Sequence, residues 1–157
     1  MKINLYALRA IYLHEMDRFR RTLTQSVLSP VLTTSLYFIV FGSVIGGYVE
    51  KIDGISYGSY IVPGLLMLTL LTQSISNTSF GIFFPKFNGT IYEILAAPIS
   101  TLEVVLAFVG AGATKTLIVS IIIFITSLFF VDVQVKYPLL MIFLLILVAF
   151  TFALFGF

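Results

Sequence analysis

Four long apolar stretches alternate with short polar segments along this chain of 157 residues. The stretches cover about residues 22–48, 57–84, 102–131 and 139–157. Each is long enough to form a helix that crosses the roughly 30 Å hydrocarbon core of a bilayer. The pattern therefore predicts an all-α, polytopic membrane protein whose transmembrane domain covers residues 22–157. The last stretch is still apolar at Phe157, so we expect the chain to end inside its fourth helix.

A narrower apolar pattern precedes the first stretch. Large apolar residues recur there at spacings of three or four, which gathers them on one face of a helix. They are Leu5, Leu8, Tyr12, Met16, Phe19 and Leu23. The residues that fall off this face are Arg9, His14, Asp17, Arg18, Arg20 and Arg21. Residues 1–21 are therefore predicted to form a basic amphipathic helix in the membrane interface, with its cations toward lipid phosphates. A plain solvated helix is the alternative.

A short helix is predicted between the second and third apolar stretches. Thr90 and Glu93, and again Ser100 and Glu103, have the spacing of a capping box, in which a hydroxyl and a carboxylate satisfy backbone N–H groups. Pro98 disfavours helical geometry in the residue before it. The first helix should therefore begin after Thr90 and end before Pro98, and the third span should begin just after Ser100. Ile91, Ile94 and Leu95 share one side of the short helix, as expected of a docking element.

Composition supports the membrane assignment. Hydrophobic residues make up 59% of the chain and charged residues only 10%, against about 25% charged in an ordinary soluble domain. The net charge of +2 is too small to indicate binding of nucleic acid. No cysteine occurs in the sequence, which excludes disulfides and thiolate metal sites.

The distribution of cations predicts an orientation. Five precede the first span, namely Lys2, Arg9, Arg18, Arg20 and Arg21, and Lys86 follows the second span. The loops on the opposite side contain only Lys51 and Lys136. By the positive-inside rule, the N-terminus and the loop at residues 85–101 are therefore predicted to be cytoplasmic.

Several residues inside the spans are candidates for helix packing or for a transport path. In the second span, five polar residues share one side of the helix, namely Thr69, Thr72, Gln73, Ser76 and Ser79. Asn77 lies at the margin of this polar side. Such groups need partners in hydrocarbon, so this side should face other helices or a water-filled path. Lys115, inside the third span, either extends its ammonium to the membrane surface or has a substrate role. Gly42 and Gly46 form a GxxxG pair, typical of a helix interface or of a flexible helix end.

The sequence offers little for catalysis. Ser56 lies in a G-x-S-x-G pattern, but such a serine needs a strand-to-helix turn and a histidine within reach. The only histidine, His14, is predicted on the other side of the membrane. No GxxxxGK[ST] loop and no cluster with metal-ligand spacing occurs. We therefore predict no catalytic, cofactor-binding or metal-binding residue, and membrane hydrolysis by Ser56 is the weakest hypothesis.

Three segments together resemble the membrane subunits of type-2 ABC transporters, which are exporter permeases of polysaccharide, lipid-linked glycan and drug efflux systems. The first is Phe41-Gly42-x3-Gly46. The second is Gly54-Ile-Ser-Tyr-x2-Tyr60-Ile-Val-Pro-Gly64-Leu. The third and most specific is Lys86-x2-Gly89-Thr90-Ile-Tyr-Glu93-x-Leu-Ala-Ala-Pro98-x-Ser100-x2-Glu103.

The resemblance implies six transmembrane helices after an interfacial helix, in the inner membrane of a bacterial cell. It implies that two such subunits pair, as a homodimer or with another permease, and that each engages a separate ATPase subunit, which binds the ATP. It also implies that the loop between the second and third spans contains the coupling helix that docks on the ATPase. The residues concerned are Lys86, Gly89, Thr90, Glu93, Pro98 and Glu103. The sequence departs from this pattern because it ends in the fourth helix.

A channel or an ion-coupled secondary carrier is the alternative function. Either would need ionisable residues near the middle of the membrane, and Lys115 is the only candidate within the spans.

Overall fold

The computed structural model describes residues 4–45, 56–131 and 135–157, without the side chains of residues 42–45. These residues form helices and connecting turns, and no strand occurs among them. The α-helices are α1 (Leu5–Arg21), α2 (Leu23–Tyr37), α3 (Tyr57–Phe87), α4 (Ile91–Ala96), α5 (Thr101–Phe130) and α6 (Pro138–Gly156). A π-helical segment, Phe38–Ile45, continues α2. The predicted all-α fold is confirmed.

Among the described residues, four helical stretches are long and apolar enough to cross a membrane, as predicted. They are Leu23–Phe41, Tyr57–Phe87, Thr101–Phe130 and Pro138–Gly156. α3 continues through Pro85 to Phe87, three residues past its predicted end, because a proline removes one helical hydrogen bond without ending every helix. Of the proposed GxxxG pair, Gly42 lies in the π-helical segment, whereas Gly46 lies outside the described residues.

α5 is the central helix of the bundle. It packs against α1, α2, α3 and α6, and 56% of its most apolar stretch is buried, against 17 to 28% in the other three spans. Small residues allow the close packing of its neighbours. A Cβ added to Gly112 of α5 would overlap the Thr78 hydroxyl of α3, and one added to Gly156 of α6 would lie 2.6 Å from the Ile75 carbonyl oxygen of α3. Helices without side chains at a contact can bring their backbones together in this way.

Two hydrophobic clusters within the described part of the chain hold the bundle. One joins α1, the π-helical segment, α3 and α5 through Phe19, Phe38, Val62, Leu66, Val119 and Ile123. The other joins α3, α5 and α6 through Leu70, Val109, Ala113, Ala149 and Ala153. The outer faces remain apolar and exposed, above all along α6, as is usual for helices whose solvent is lipid.

Candidate functional site: the loop helix and a buried ion pair

The connection from α3 to α4 is a tight turn at Gly89. Its φ of 78° lies in the left-handed region that favours glycine, and its N–H donates to the Lys86 carbonyl oxygen at 3.4 Å. The turn directly follows the end of α3 at Phe87. α4 then begins directly after Thr90, as predicted, and ends at Ala96, before Pro98.

The predicted capping box at the start of α4 is wrong. Thr90 has helical backbone angles (φ −67°, ψ −13°), and its side chain makes no capping hydrogen bond. A hydroxyl that caps a helix usually belongs to a residue with extended backbone angles, from which it reaches the first N–H groups of the helix. After the turn at Gly89, Thr90 does not have such angles. The Thr90 hydroxyl instead donates to the Pro85 carbonyl oxygen at 3.5 Å. Glu93 is exposed to solvent.

The capping box at the start of α5 is confirmed. The Glu103 N–H donates to the Ser100 hydroxyl at 3.4 Å, and the Ser100 N–H donates to Glu103 Oε2 at 2.9 Å. The other carboxylate oxygen of Glu103 accepts a hydrogen bond from the backbone N–H of Asn4. Glu103 therefore ties the end of the loop both to α5 and to the start of α1.

α4 presents an apolar surface that no described part of the chain covers. None of its residues is buried. Tyr92 is 73% exposed, and Leu95 and Phe87 are exposed to a similar degree. The Phe87 ring stacks on that of Phe83, with ring centroids 6.0 Å apart. Of the predicted apolar side, Leu95 is exposed, whereas Ile91 and Ile94 are partly covered.

The interpretation of Lys115 as a residue that extends to the membrane surface is wrong. Its side chain is only 4% exposed, because it points toward α1 and meets a carboxylate there. Lys115 Nζ donates to Glu15 Oε2 at 2.7 Å. Arg18 Nη2 contacts the same oxygen at 2.8 Å, and its side chain is 28% exposed.

Glu15 is the functional candidate that the sequence analysis missed. It follows Tyr12 by three residues and precedes Phe19 by four, so the helical period alone places it on the apolar face of α1. Glu15 and Phe19 are the buried residues of α1, whereas Leu5 and Leu23, at the ends of the predicted face, are exposed. The predicted apolar face of α1 is therefore confirmed for its central part, which packs against α5.

The predicted polar side of α3 is divided between exposed and packed positions. Asn77 Nδ2 donates to Thr116 Oγ1 of α5 at 3.2 Å, and the Ser79 hydroxyl donates to the Gly156 carbonyl oxygen of α6 at 2.6 Å. Thr69 and Thr72 donate to carbonyl oxygens of their own helix, Ser76 is exposed and Gln73 is partly buried. The buried hydroxyls on α3 are those of Ser74 and Thr78, which the sequence analysis did not single out.

Ser56 has a structural place. Its hydroxyl accepts the N–H of Ser59 at 3.3 Å and caps the N-terminus of α3. His14 lies exposed on α1. Within the described ranges, no group of three or more histidine, cysteine or acidic residues could hold a metal ion.

Comparison with known proteins places the chain in a family. Residues 6–157 match the family model of the ABC-2 type transporter. The proteins named "Inner membrane transport permease YadH" in Escherichia coli (strain K12) and in Shigella flexneri are each 39% identical over 150 residues. These residues are 96% of this chain but only 59% of either relative, so the chain spans about three fifths of their length. No solved structure matches the chain significantly. Because the family model covers nearly the whole sequence, this chain belongs to the ABC-2 type transporter family of membrane permeases.

Proposed function

We propose that this chain is the membrane-spanning permease subunit of an ATP-driven exporter. The family match and the four apolar helices support a transport role. The 157 residues contain no GxxxxGK[ST] loop, so a nucleotide site of that kind has to lie outside them. A separate ATPase subunit would supply the energy, and a second permease subunit would complete the membrane part.

The bacterial inner membrane is the proposed location. The matching relatives carry the words "inner membrane" in their names. The cation distribution supports an orientation with the N-terminus and residues 85–101 in the cytoplasm, because Lys and Arg favour that side. The ATPase would then meet α4 from the cytoplasm.

The observation that carries the proposal is the uncovered apolar surface of α4. Exposed aromatic and aliphatic side chains on a short, fixed helix are typical anchors of a protein interface. The helix lies between α3 and α5, and only four residues separate the end of α4 from the start of α5. A force on Tyr92 or Leu95 would therefore reach the central helix through the Ser100–Glu103 cap.

Substitution of the two exposed anchors tests this role. We expect Tyr92→Ser with Leu95→Ser to reduce the ABC ATPase that co-purifies with the tagged chain by about tenfold or more, because the truncation of a hot-spot anchor costs about 2 kcal/mol or more of binding free energy. Tyr137→Ser is the matched control, since Tyr137 is 63% exposed at the start of α6, which connectivity places at the opposite end of the bundle. Equal co-purification for both variants would show that α4 is not the docking element.

The source of energy needs a separate measurement. Uptake into inverted membrane vesicles should require ATP and should continue when ion gradients are collapsed. Transport that persists without ATP and follows an imposed ion gradient would favour the channel or ion-coupled carrier instead.

A further inference from the structure

Glu15 lies at a three-charge cluster that the proposed transport role does not explain. One of its oxygens accepts contacts from both Lys115 and Arg18, at 2.7 and 2.8 Å. The side chains of Glu15 and Lys115 are almost fully withdrawn from solvent. Burial of an ionisable residue in a membrane protein costs free energy, and residues that are buried in this way usually have a functional role.

The cluster lies where α1 meets both helices that flank α4. Lys115 belongs to α5. On the other side, a Cβ added to Gly81 of α3 would lie 3.6 Å from Glu15 Oε2, so the carboxylate lies against the backbone of α3. The Arg18 guanidinium lies 5.7 Å from the centroid of the Phe84 ring, also on α3. One carboxylate thus joins α1 to the last turns of α3 and to the first half of α5.

Two further contacts extend the attachment along α5. Nearest the loop, the Asn4 N–H donates to Glu103. Farther along, the Tyr12 hydroxyl donates to Thr114 Oγ1 at 3.1 Å, directly before the Lys115 position. Residue numbers rise together on both helices, so α1 runs beside α5 in the same direction. The contacts at Glu103 and Lys115 are twelve residues apart, or roughly 18 Å along a helix.

We infer that Glu15 is a positioning residue, which with Lys115 and Arg18 fixes α1 to α3 and α5 so that α1 moves with the loop helix. Two attachment points separated by several helical turns prevent α1 from pivoting about either one. Apolar contacts alone would permit small rotations and translations of α1, whereas the ion pair forms only in one position of α1 relative to α5. The consequence for transport rests on the proposed function, but the attachment itself does not.

Cross-linking measures the attachment directly, because the sequence contains no cysteine. Tyr12→Cys and Thr114→Cys would be introduced into the full chain, and a short bifunctional thiol reagent would join them. We expect Glu15→Gln and Lys115→Met each to lower the cross-linking yield and transport by about tenfold or more, because either substitution breaks the buried pair. Co-purification of the ATPase should stay unchanged, since α4 is not altered. Lys115→Arg keeps the cation, so it should retain both the cross-linking yield and transport.

A charge-free variant separates positioning from folding. Glu15→Leu with Lys115→Met removes both charges, so no unpaired charge is buried and the bundle should fold. We expect this variant to resist unfolding by detergent as the wild type does, but to show a lower cross-linking yield and less transport. Wild-type cross-linking and transport in this variant, or in Glu15→Gln, would overturn the inference. If the wild type binds no ATPase, the proposed function fails, while the cross-linking yields still decide whether Glu15 holds α1.

Discussion

The two single substitutions at the buried ion pair should differ in their effect on stability. Glu15→Gln keeps the shape of the side chain and removes its charge. The buried ammonium of Lys115 then loses the one ionic partner that it has among the described residues. Lys115→Met leaves the Glu15 carboxylate with Arg18, which still contacts it at 2.8 Å and is partly open to solvent. The loss of the acid should therefore cost more than the loss of the lysine.

The magnitude follows from the distances and the burial. Two unit charges 2.7 Å apart attract each other by about 6 kcal/mol at an effective dielectric constant of about 20. Withdrawal of each ion from water costs several kcal/mol, which cancels most of that attraction in the wild type. Removal of one partner leaves the penalty uncompensated, so Glu15→Gln should cost about 3–5 kcal/mol. Lys115→Met should cost about 1–3 kcal/mol, because Arg18 still neutralises the carboxylate. The double variant Glu15→Leu with Lys115→Met should lie within about 2 kcal/mol of the wild type.

Reversible unfolding in mixed micelles measures these differences. The fraction of sodium dodecyl sulfate would be raised stepwise, and the loss of helix would be followed by far-ultraviolet circular dichroism. A further double variant, Glu15→Gln with Lys115→Met, closes a double-mutant cycle with the wild type and the two single variants, and this cycle isolates the coupling between the two side chains. A Glu15→Gln variant within about 1 kcal/mol of the wild type, or a Lys115→Met variant that is less stable than Glu15→Gln, would refute the reasoning.

Two further substitutions probe packing and capping. Gly112→Ala should destabilise the bundle by about 1–3 kcal/mol in the same unfolding assay, since the new Cβ overlaps the Thr78 hydroxyl. Thr78→Ala should recover part of that loss, because the remaining Thr78 Cβ lies 3.2 Å from the new atom; no recovery would mean that another contact limits the site. Ser56→Ala should cost about 1 kcal/mol, as expected for the loss of the α3 cap, and should leave transport intact, whereas abolished transport in a folded Ser56→Ala variant would revive the hydrolase hypothesis.

The number and placement of the spans could be predicted from the sequence because lipid imposes a simple rule. A membrane helix needs about 20 predominantly apolar residues, and the polar connecting segments must lie outside the hydrocarbon core. Strong local signals also fixed the end of α4 before Pro98 and the start of α5 at the Ser100–Glu103 box. Each of these features depends on a few neighbouring residues, so sequence pattern suffices for them.

The failures concern features that depend on one dihedral angle or on distant residues. The spacing of Thr90 and Glu93 fits a capping box, but the turn at Gly89 sets the Thr90 backbone in a helical conformation and removes the cap. The burial of Lys115 depends on Glu15, which lies 100 residues earlier. Periodicity shows that Glu15 shares a face with Tyr12, but it does not show which helix that face meets.

The position of the ion pair supports the proposed coupling of α1 to α5. A slide of α1 by one turn would move Glu15 about 5.4 Å along α5 and would separate it from Lys115. Such a slide leaves the buried ammonium of Lys115 without its carboxylate, whereas Glu15 keeps its contact with Arg18, which lies on α1 and moves with it. The unpaired ammonium costs several kcal/mol, whereas an apolar contact such as that of Phe19 could re-form with neighbouring side chains. One register is therefore favoured over its neighbours by far more than thermal energy. A displacement of the loop helix that moves α5 must then move α1 as well.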